Sequence, residues 1–140
     1  MHIIIVAGGK GGVGKSLLAV NLSIALSQAG KKVVLADLDL GGSNLHMMLG
    51  SGRNRAGIGT WLTNPEVDFE NIVLDTEYGD LKFIPGDAEI PGLANISVNQ
   101  KRKLIRHLGA LDADYVVLDL GAGTSFNTLD FFLTSGTGII

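Results

Sequence analysis

Cysteine, proline and aromatic residues are scarce in this sequence. The 140 residues contain no cysteine and only three prolines, and aromatic side chains make up 6% of the chain. The lack of cysteine excludes a fold held by disulfides, and it leaves no cysteine–histidine spacing for a zinc site. We therefore expect a cytoplasmic domain that is stabilised by its apolar core.

Long hydrophobic runs are also missing. The N-terminal run Ile3-Ile4-Ile5-Val6 is soon followed by Gly8-Gly9-Lys10. A secretory signal needs a basic segment and then roughly 7–15 apolar residues, and a membrane span needs about 18 or more. A short apolar run of this kind instead predicts a buried parallel strand.

Apolar runs and helical patterns alternate along the chain, which makes up one domain with a substantial apolar fraction of 46%. We predict strands at 2–7, 32–37, 71–74, 81–84 and 115–119, another strand starting at 139, and helices at 15–29, 60–64, 98–109 and 126–134. The alternation predicts an α/β fold with three layers and a mostly parallel sheet. Because a strand would begin at the last residues, we expect residues 1–140 to be the N-terminal portion of a larger protein, without the C-terminal strands.

The helix predicted at 98–109 has the clearest local signals. Ser97 and Gln100 form the sequence pattern of a capping box. Helical spacing predicts an apolar stripe formed by Leu104, Ile105, Leu108 and Leu111. The opposite face holds the basic residues Lys101, Arg102, Lys103 and Arg106. We interpret them as a solvated face, with contact to acidic lipid or DNA as the alternative, since the net charge of −3 argues against a surface that coats nucleic acid.

A glycine-rich segment carries the strongest functional signal. Residues 9–16 match G-x-x-x-x-G-K-[ST] in full and lie between a predicted strand and a predicted helix. Glycine lets successive backbone N–H groups point into one concavity, and the helix N-terminus favours an anion there. Lys15 would lie between the β- and γ-phosphates, and the Ser16 hydroxyl would bind Mg²⁺. The residues expected to bind the nucleotide are Gly9, Lys10, Gly11, Gly12, Val13, Gly14, Lys15 and Ser16.

Acidic residues end two of the predicted buried strands. Asp37 and Asp39 lie on the same side of an extended segment, at the carboxyl end where open α/β sheets bind ligands. Two close carboxylates repel unless a cation or proton lies between them, and Mg²⁺ with an attacking water meets that need. Asp119 ends the apolar run Tyr115–Leu118 and is followed by Gly121. This pattern matches a Walker B strand, and we expect Asp119 to be a second acidic metal ligand.

The stretch Lys-Gly-Gly-Val-Gly-Lys-Ser at 10–16 resembles the deviant Walker A loop of the MinD/ParA family. In that family the early lysine, here Lys10, reaches across an ATP-bound dimer to the phosphates of the partner. The resemblance implies that Asp37 belongs to the hydration shell of the metal and that Asp39 positions the attacking water. It also implies that Asp119 holds Mg²⁺ through water and that Gly121 or Gly123 gives a backbone N–H to the γ-phosphate. Within the family, residues 39–50 are closer to MinD and its flagellar-number relative FlhG than to ParA.

The function that this resemblance implies is a Mg²⁺-dependent ATPase that hydrolyses ATP slowly, forms an ATP-dependent homodimer and positions the division site or flagella. A protein activator or effector would be its partner. A C-terminal helix beyond this sequence could bind the inner face of the cell membrane, and no sequence-specific nucleic acid is expected. An Mrp-type iron–sulfur cluster carrier, a ParA-type DNA segregation ATPase and a bacterial tyrosine kinase remain alternatives, because they share the loop.

Overall fold

The computed structural model describes residues 1–6, 13–38, 56–86, 97–120 and 137–139. The strands are β1 (His2–Val6), β2 (Val33–Leu38), β3 (Leu74–Asp75), β4 (Leu81–Ile84), β5 (Tyr115–Leu120) and β6 (Thr137–Ile139). The α-helices in these ranges are α1 (Val13–Gln28), α2 (Ile58–Thr63) and α3 (Val98–Gly109), and a 3-10 helix spans Phe69–Ile72. The predicted helix at 126–134 lies outside the described residues.

These strands form one sheet in the order β3-β4-β2-β5-β1-β6. Every neighbouring pair is parallel except β3 and β4. The central strands β1, β2 and β5 are buried almost throughout, which explains their continuous apolar sequences. The predicted mostly parallel sheet is therefore confirmed.

Helices cover both faces of the sheet. Alternate residues of a strand point to opposite faces, so Ile4 and Val6 pack on the α1 side while Ile3 and Ile5 pack on the other. The core under α1 contains Ala19, Val20, Val33, Leu35, Leu81, Phe83 and Val117. The core on the opposite face contains residues of α2, the 3-10 helix and α3. The three-layer architecture predicted from the sequence is confirmed.

Helix α3 has the predicted bounds and the predicted cap. The Ser97 hydroxyl accepts a hydrogen bond from the Gln100 N–H at 3.1 Å, and the Gln100 side chain accepts one from the Ser97 N–H at 2.9 Å. Leu104 and Leu108 are fully buried. The other two residues of the predicted stripe, Ile105 and Leu111, are partly buried against the same core.

The segment before β3 differs from the prediction. The sequence predicts an extended segment at 71–74, but the 3-10 helix occupies Phe69–Ile72 and only Leu74–Asp75 is a strand. A single tight turn lets Phe69 and Ile72, three residues apart, both enter the core. Phe69 packs on the Trp61 ring of α2 with centroids 4.9 Å apart. Burial of two apolar side chains thus explains the turn.

A close backbone contact joins the start of α2 to the end of β4. The Ile58 N–H donates a hydrogen bond to the Pro85 carbonyl at 2.9 Å. A Cβ atom added at Gly57 would lie 2.4 Å from the same carbonyl oxygen. Only glycine allows the two backbones to approach so closely, so this contact fixes where α2 begins.

We expect Gly57→Ala to lower the free energy of unfolding of the full-length protein by roughly 1–3 kcal/mol, because the new methyl group would overlap backbone that cannot rotate away. The matched control is Gly109→Ala at the end of α3, where an added Cβ meets nothing within 4 Å. That variant should be neutral or stabilising by up to about 1 kcal/mol, since alanine favours helix. Urea denaturation measures both, and equal effects would contradict the contact.

Candidate nucleotide-binding site

The candidate site lies where the carboxyl ends of β2, β5 and β1 meet. Asp119 of β5 is in register with Asp37 on one neighbouring strand and with Val6 on the other. Both carboxylates belong to buried residues, with exposed fractions of 0% for Asp37 and 1% for Asp119. The sheet register therefore places two acidic residues side by side inside the protein, beside the strand that leads into the glycine-rich segment.

The first turn of α1 supplies the groups that contact Asp119. The Lys15 ammonium forms an ion pair with one oxygen of the Asp119 carboxylate, and the Lys15 side chain is only 9% exposed. The Ser16 hydroxyl donates a hydrogen bond to the other oxygen at 3.0 Å. Both oxygens of a buried carboxylate thus have partners on α1, which offsets the cost of burying its charge.

These groups fit a magnesium–nucleotide ligand. Mg²⁺ prefers oxygen ligands, and the Ser16 hydroxyl and the Asp119 carboxylate lie 3.0 Å apart at the closest oxygens. Lys15 adds a cation beside the N-terminus of α1, which favours a phosphate group. Apart from its chain neighbours and the backbone of its own helix, no described residue has an atom within 4 Å of a Cβ built on Gly14.

The structure brings together four of the residues that the sequence singled out, namely Lys15, Ser16, Asp37 and Asp119. Helix α1 begins at Val13, two residues earlier than predicted, so Gly14 belongs to its first turn. The remaining predicted site residues lie outside the described residues, and they are Gly9, Lys10, Gly11, Gly12, Asp39 and Gly121. The motifs do not predict the direct ion pair between Lys15 and Asp119, because they assign both groups to a ligand.

Residues 4–129 match the profile of the CobQ/CobB/MinD/ParA nucleotide binding domain. The chain belongs to this family. Among curated relatives, the septum site-determining protein MinD of Synechocystis is 34% identical over 127 residues, which is 87% of this chain and 46% of that protein. The flagellum site-determining protein YlxH of Helicobacter pylori is 33% identical over 139 residues, or 98% of this chain and 46% of that protein.

Other members of the family match as well. An iron-sulfur cluster carrier protein of Aquifex aeolicus is 33% identical over 130 residues, which is 88% of this chain and 33% of that protein. Among solved structures, MinD of Pyrococcus horikoshii in complex with Mg-ADP has a TM-score of 0.78 and 27% identity, over 96% of this chain and 54% of that one. The chain thus spans about half the length of the MinD relatives that it matches. In the described part of the chain, the helices are too short or too polar to cross a bilayer.

The ion pair can be tested with a double-mutant cycle in nucleotide-free, full-length protein. Lys15→Met should lower the free energy of unfolding by about 3 kcal/mol, because it leaves the Asp119 carboxylate buried without its cation. The double variant Lys15→Met/Asp119→Asn should recover most of this loss, since no buried charge remains. Urea denaturation measures the cycle. Strictly additive effects of the two substitutions would show that the side chains do not interact.

Proposed function

We propose that the full-length protein is a MinD-type switch that binds ATP with Mg²⁺, hydrolyses it slowly, and forms a dimer only in the ATP state. The observation that carries this proposal is the convergence of Lys15, Ser16 and Asp119 at the N-terminus of α1, with Asp37 on the next strand. A lysine, a hydroxyl and buried carboxylates at a helix N-terminus are the groups that a magnesium–triphosphate requires.

The Lys15–Asp119 pair suggests how binding proceeds. Lys15 exchanges its carboxylate partner for the phosphates, so its charge is neutralised both before and after the exchange. Asp119 and Ser16, released from this contact, are then the oxygen groups that would hold Mg²⁺, directly or through water. Magnesium, when bound, neutralises charge on the β- and γ-phosphates. The backbone N–H groups of residues 9–16, with that of Gly121, would complete the cradle.

Asp37, near the end of β2, and Asp39, directly after this strand, have separate proposed roles. Asp37 is buried beside Asp119 and would hold water in the hydration shell of the metal. Asp39 follows β2 by one residue and would orient the attacking water. Since a group that orients water acts mainly in the transition state, its loss should affect hydrolysis more than binding.

Positioning of a division site or of flagella is the cellular role that the relatives favour. Septum and flagellum site-determining proteins both match most of this chain at about one-third identity. We propose a cytoplasmic protein that recruits an activator or effector in its ATP state, with reversible contact to the inner membrane surface. An iron–sulfur cluster carrier is the second candidate, because such a protein matches a comparable stretch. Iron and sulfide analysis of the purified full-length protein separates the two, since a carrier binds a cluster and a positioning switch does not.

Asp39→Ala in the full-length protein should leave ATP affinity within a few-fold of wild type and reduce kcat by about 100-fold or more, as expected for loss of a group that assists the attacking water. Phosphate release gives kcat, and titration with a fluorescent ATP analogue gives the affinity. The control is Asp75→Ala, which removes an exposed carboxylate of β3 that is not one of the predicted site residues. If kcat of Asp39→Ala stays within a few-fold of wild type, another group positions the water.

Lys10→Ala should bind ATP as a monomer but fail to form the ATP dimer. Lys15 already serves the phosphates of its own chain, and two triphosphates brought face to face repel unless each subunit supplies a cation to the other. Sedimentation with a non-hydrolysable ATP analogue measures the dimer. Lys31→Ala, which removes an exposed lysine after α1, is the matched control and should dimerise normally. Normal dimerisation of Lys10→Ala would refute the role of Lys10 and leave nucleotide binding by Lys15 intact.

A further inference from the structure

Helix α3 carries a concentration of positive charge that the nucleotide site does not use. Its twelve residues include four lysines and arginines and no acidic residue, although the chain as a whole has a net charge of −3. Since the rest of the chain is correspondingly more acidic, this helix is a local exception. A basic side chain on a helix is explained when it contacts an aromatic ring or lies near the C-terminal end of the helix dipole.

Two of the basic residues have such an explanation. The Lys103 ammonium lies 4.4 Å from the centroid of the Trp61 ring, where a cation is attracted to the indole face. Arg106 is in the last turn, where a positive charge interacts favourably with the helix dipole. Lys101 is partly buried. Arg102 is exposed in the middle of the helix, and neither explanation applies to it.

The placement of Arg102 is unfavourable for the isolated domain. Arg102 and Arg106 are four residues apart, so both exposed guanidinium groups lie on one face and repel each other. None of the ion pairs within the described residues involves α3. The nearest following acids contact Lys32 instead, Asp112 by an ion pair at 3.1 Å and Asp114 by a hydrogen bond to the Lys32 N–H at 2.8 Å.

We propose that the outward face of α3, formed by Val98, Arg102 and Arg106, binds an acidic segment of a partner protein. These residues recur every four positions and so form one row along the helix. The two arginines lie about 6 Å apart along the axis, which suits two carboxylates one helical turn apart, each able to accept a paired hydrogen bond from a guanidinium group. Val98 is 57% exposed and adds an apolar contact at one end of the row.

The same observations argue against the other anionic surfaces. A membrane-binding helix inserts its apolar face, but Leu104 and Leu108 of α3 are fully buried in the core. Non-specific binding of DNA typically depends on about six to ten phosphate contacts, whereas this row offers two arginines. A protein segment with a few carboxylates and one apolar residue therefore fits the row better than either surface.

The test uses full-length protein and a labelled synthetic helical peptide that carries glutamates four residues apart, compared with the same peptide carrying glutamines. Fluorescence anisotropy at low salt should show binding of the glutamate peptide only, weakened by added salt. Arg102→Gln/Arg106→Gln should lose about tenfold or more in affinity, the scale of one charge-assisted hydrogen bond. Lys31→Gln/Lys82→Gln, which removes the same charge from exposed lysines elsewhere, should change affinity less than twofold.

Arg102→Glu separates binding from folding. It places a glutamate four residues before Arg106, an attractive pair that supports the helix. The expected result is a Tm equal to or above that of wild type, together with loss of peptide binding. Equal binding of both peptides, or binding by Arg102→Glu within twofold of wild type, would overturn the proposal. So would tighter, Arg102-dependent binding to phosphatidylserine vesicles or to duplex DNA.

Discussion

A buried carboxylate that must be neutralised determines the arrangement of this domain around its site. Asp119 is 1% exposed, and an ionised carboxylate at that depth is costly unless cations and donors surround it. Lys15 and Ser16 meet this need in the nucleotide-free structure, which ties the first turn of α1 to the end of β5. The tie is possible only because β5 lies between β1 and β2, so that the helix following β1 passes over it.

This arrangement has a consequence for ligand binding. Because Lys15 is already paired, a nucleotide gains from the lysine only the difference between its phosphates and the Asp119 carboxylate. Release of Asp119 without a replacement cation would leave its charge buried, so triphosphate and magnesium should bind together rather than singly. Under the proposed function, the direct pair would favour a magnesium–nucleotide complex over the free nucleotide.

The sequence predicted most where one local cause dominates. The start of α3 follows from the Ser97–Gln100 capping box, and β1, β2 and β5 follow from apolar runs that parallel strands bury on both faces. It failed where distant contacts decide the conformation. The 3-10 helix at Phe69–Ile72 depends on packing with Trp61, and no sequence motif predicts this helix. His107 likewise packs edge-on against Trp61, at 4.8 Å between centroids, although nothing in the sequence predicts that contact. The convergence of Lys15, Ser16, Asp37 and Asp119 could be predicted because ligand chemistry sets the spacing of the motifs. The direct contact between Lys15 and Asp119 could not be predicted, because it forms without the ligand.

Charged side chains are arranged differently at the nucleotide site and on helix α3. At the nucleotide edge, buried charges are neutralised within the chain by partners that a ligand can replace. On α3, exposed like charges are left four residues apart, at a small cost that water and salt reduce. On α3 a repulsion is left between like charges in the unliganded protein, and the proposed acidic partner would remove it. The two surfaces need not be coupled, although α3 contacts the helix that follows the proposed hydrolytic segment in the chain. Gln100 of α3 donates to the Leu62 carbonyl of α2 at 3.4 Å, and α2 directly follows residues 39–55, the segment that includes Asp39. A partner that restrains α3 would therefore act on the element that follows the proposed hydrolytic segment.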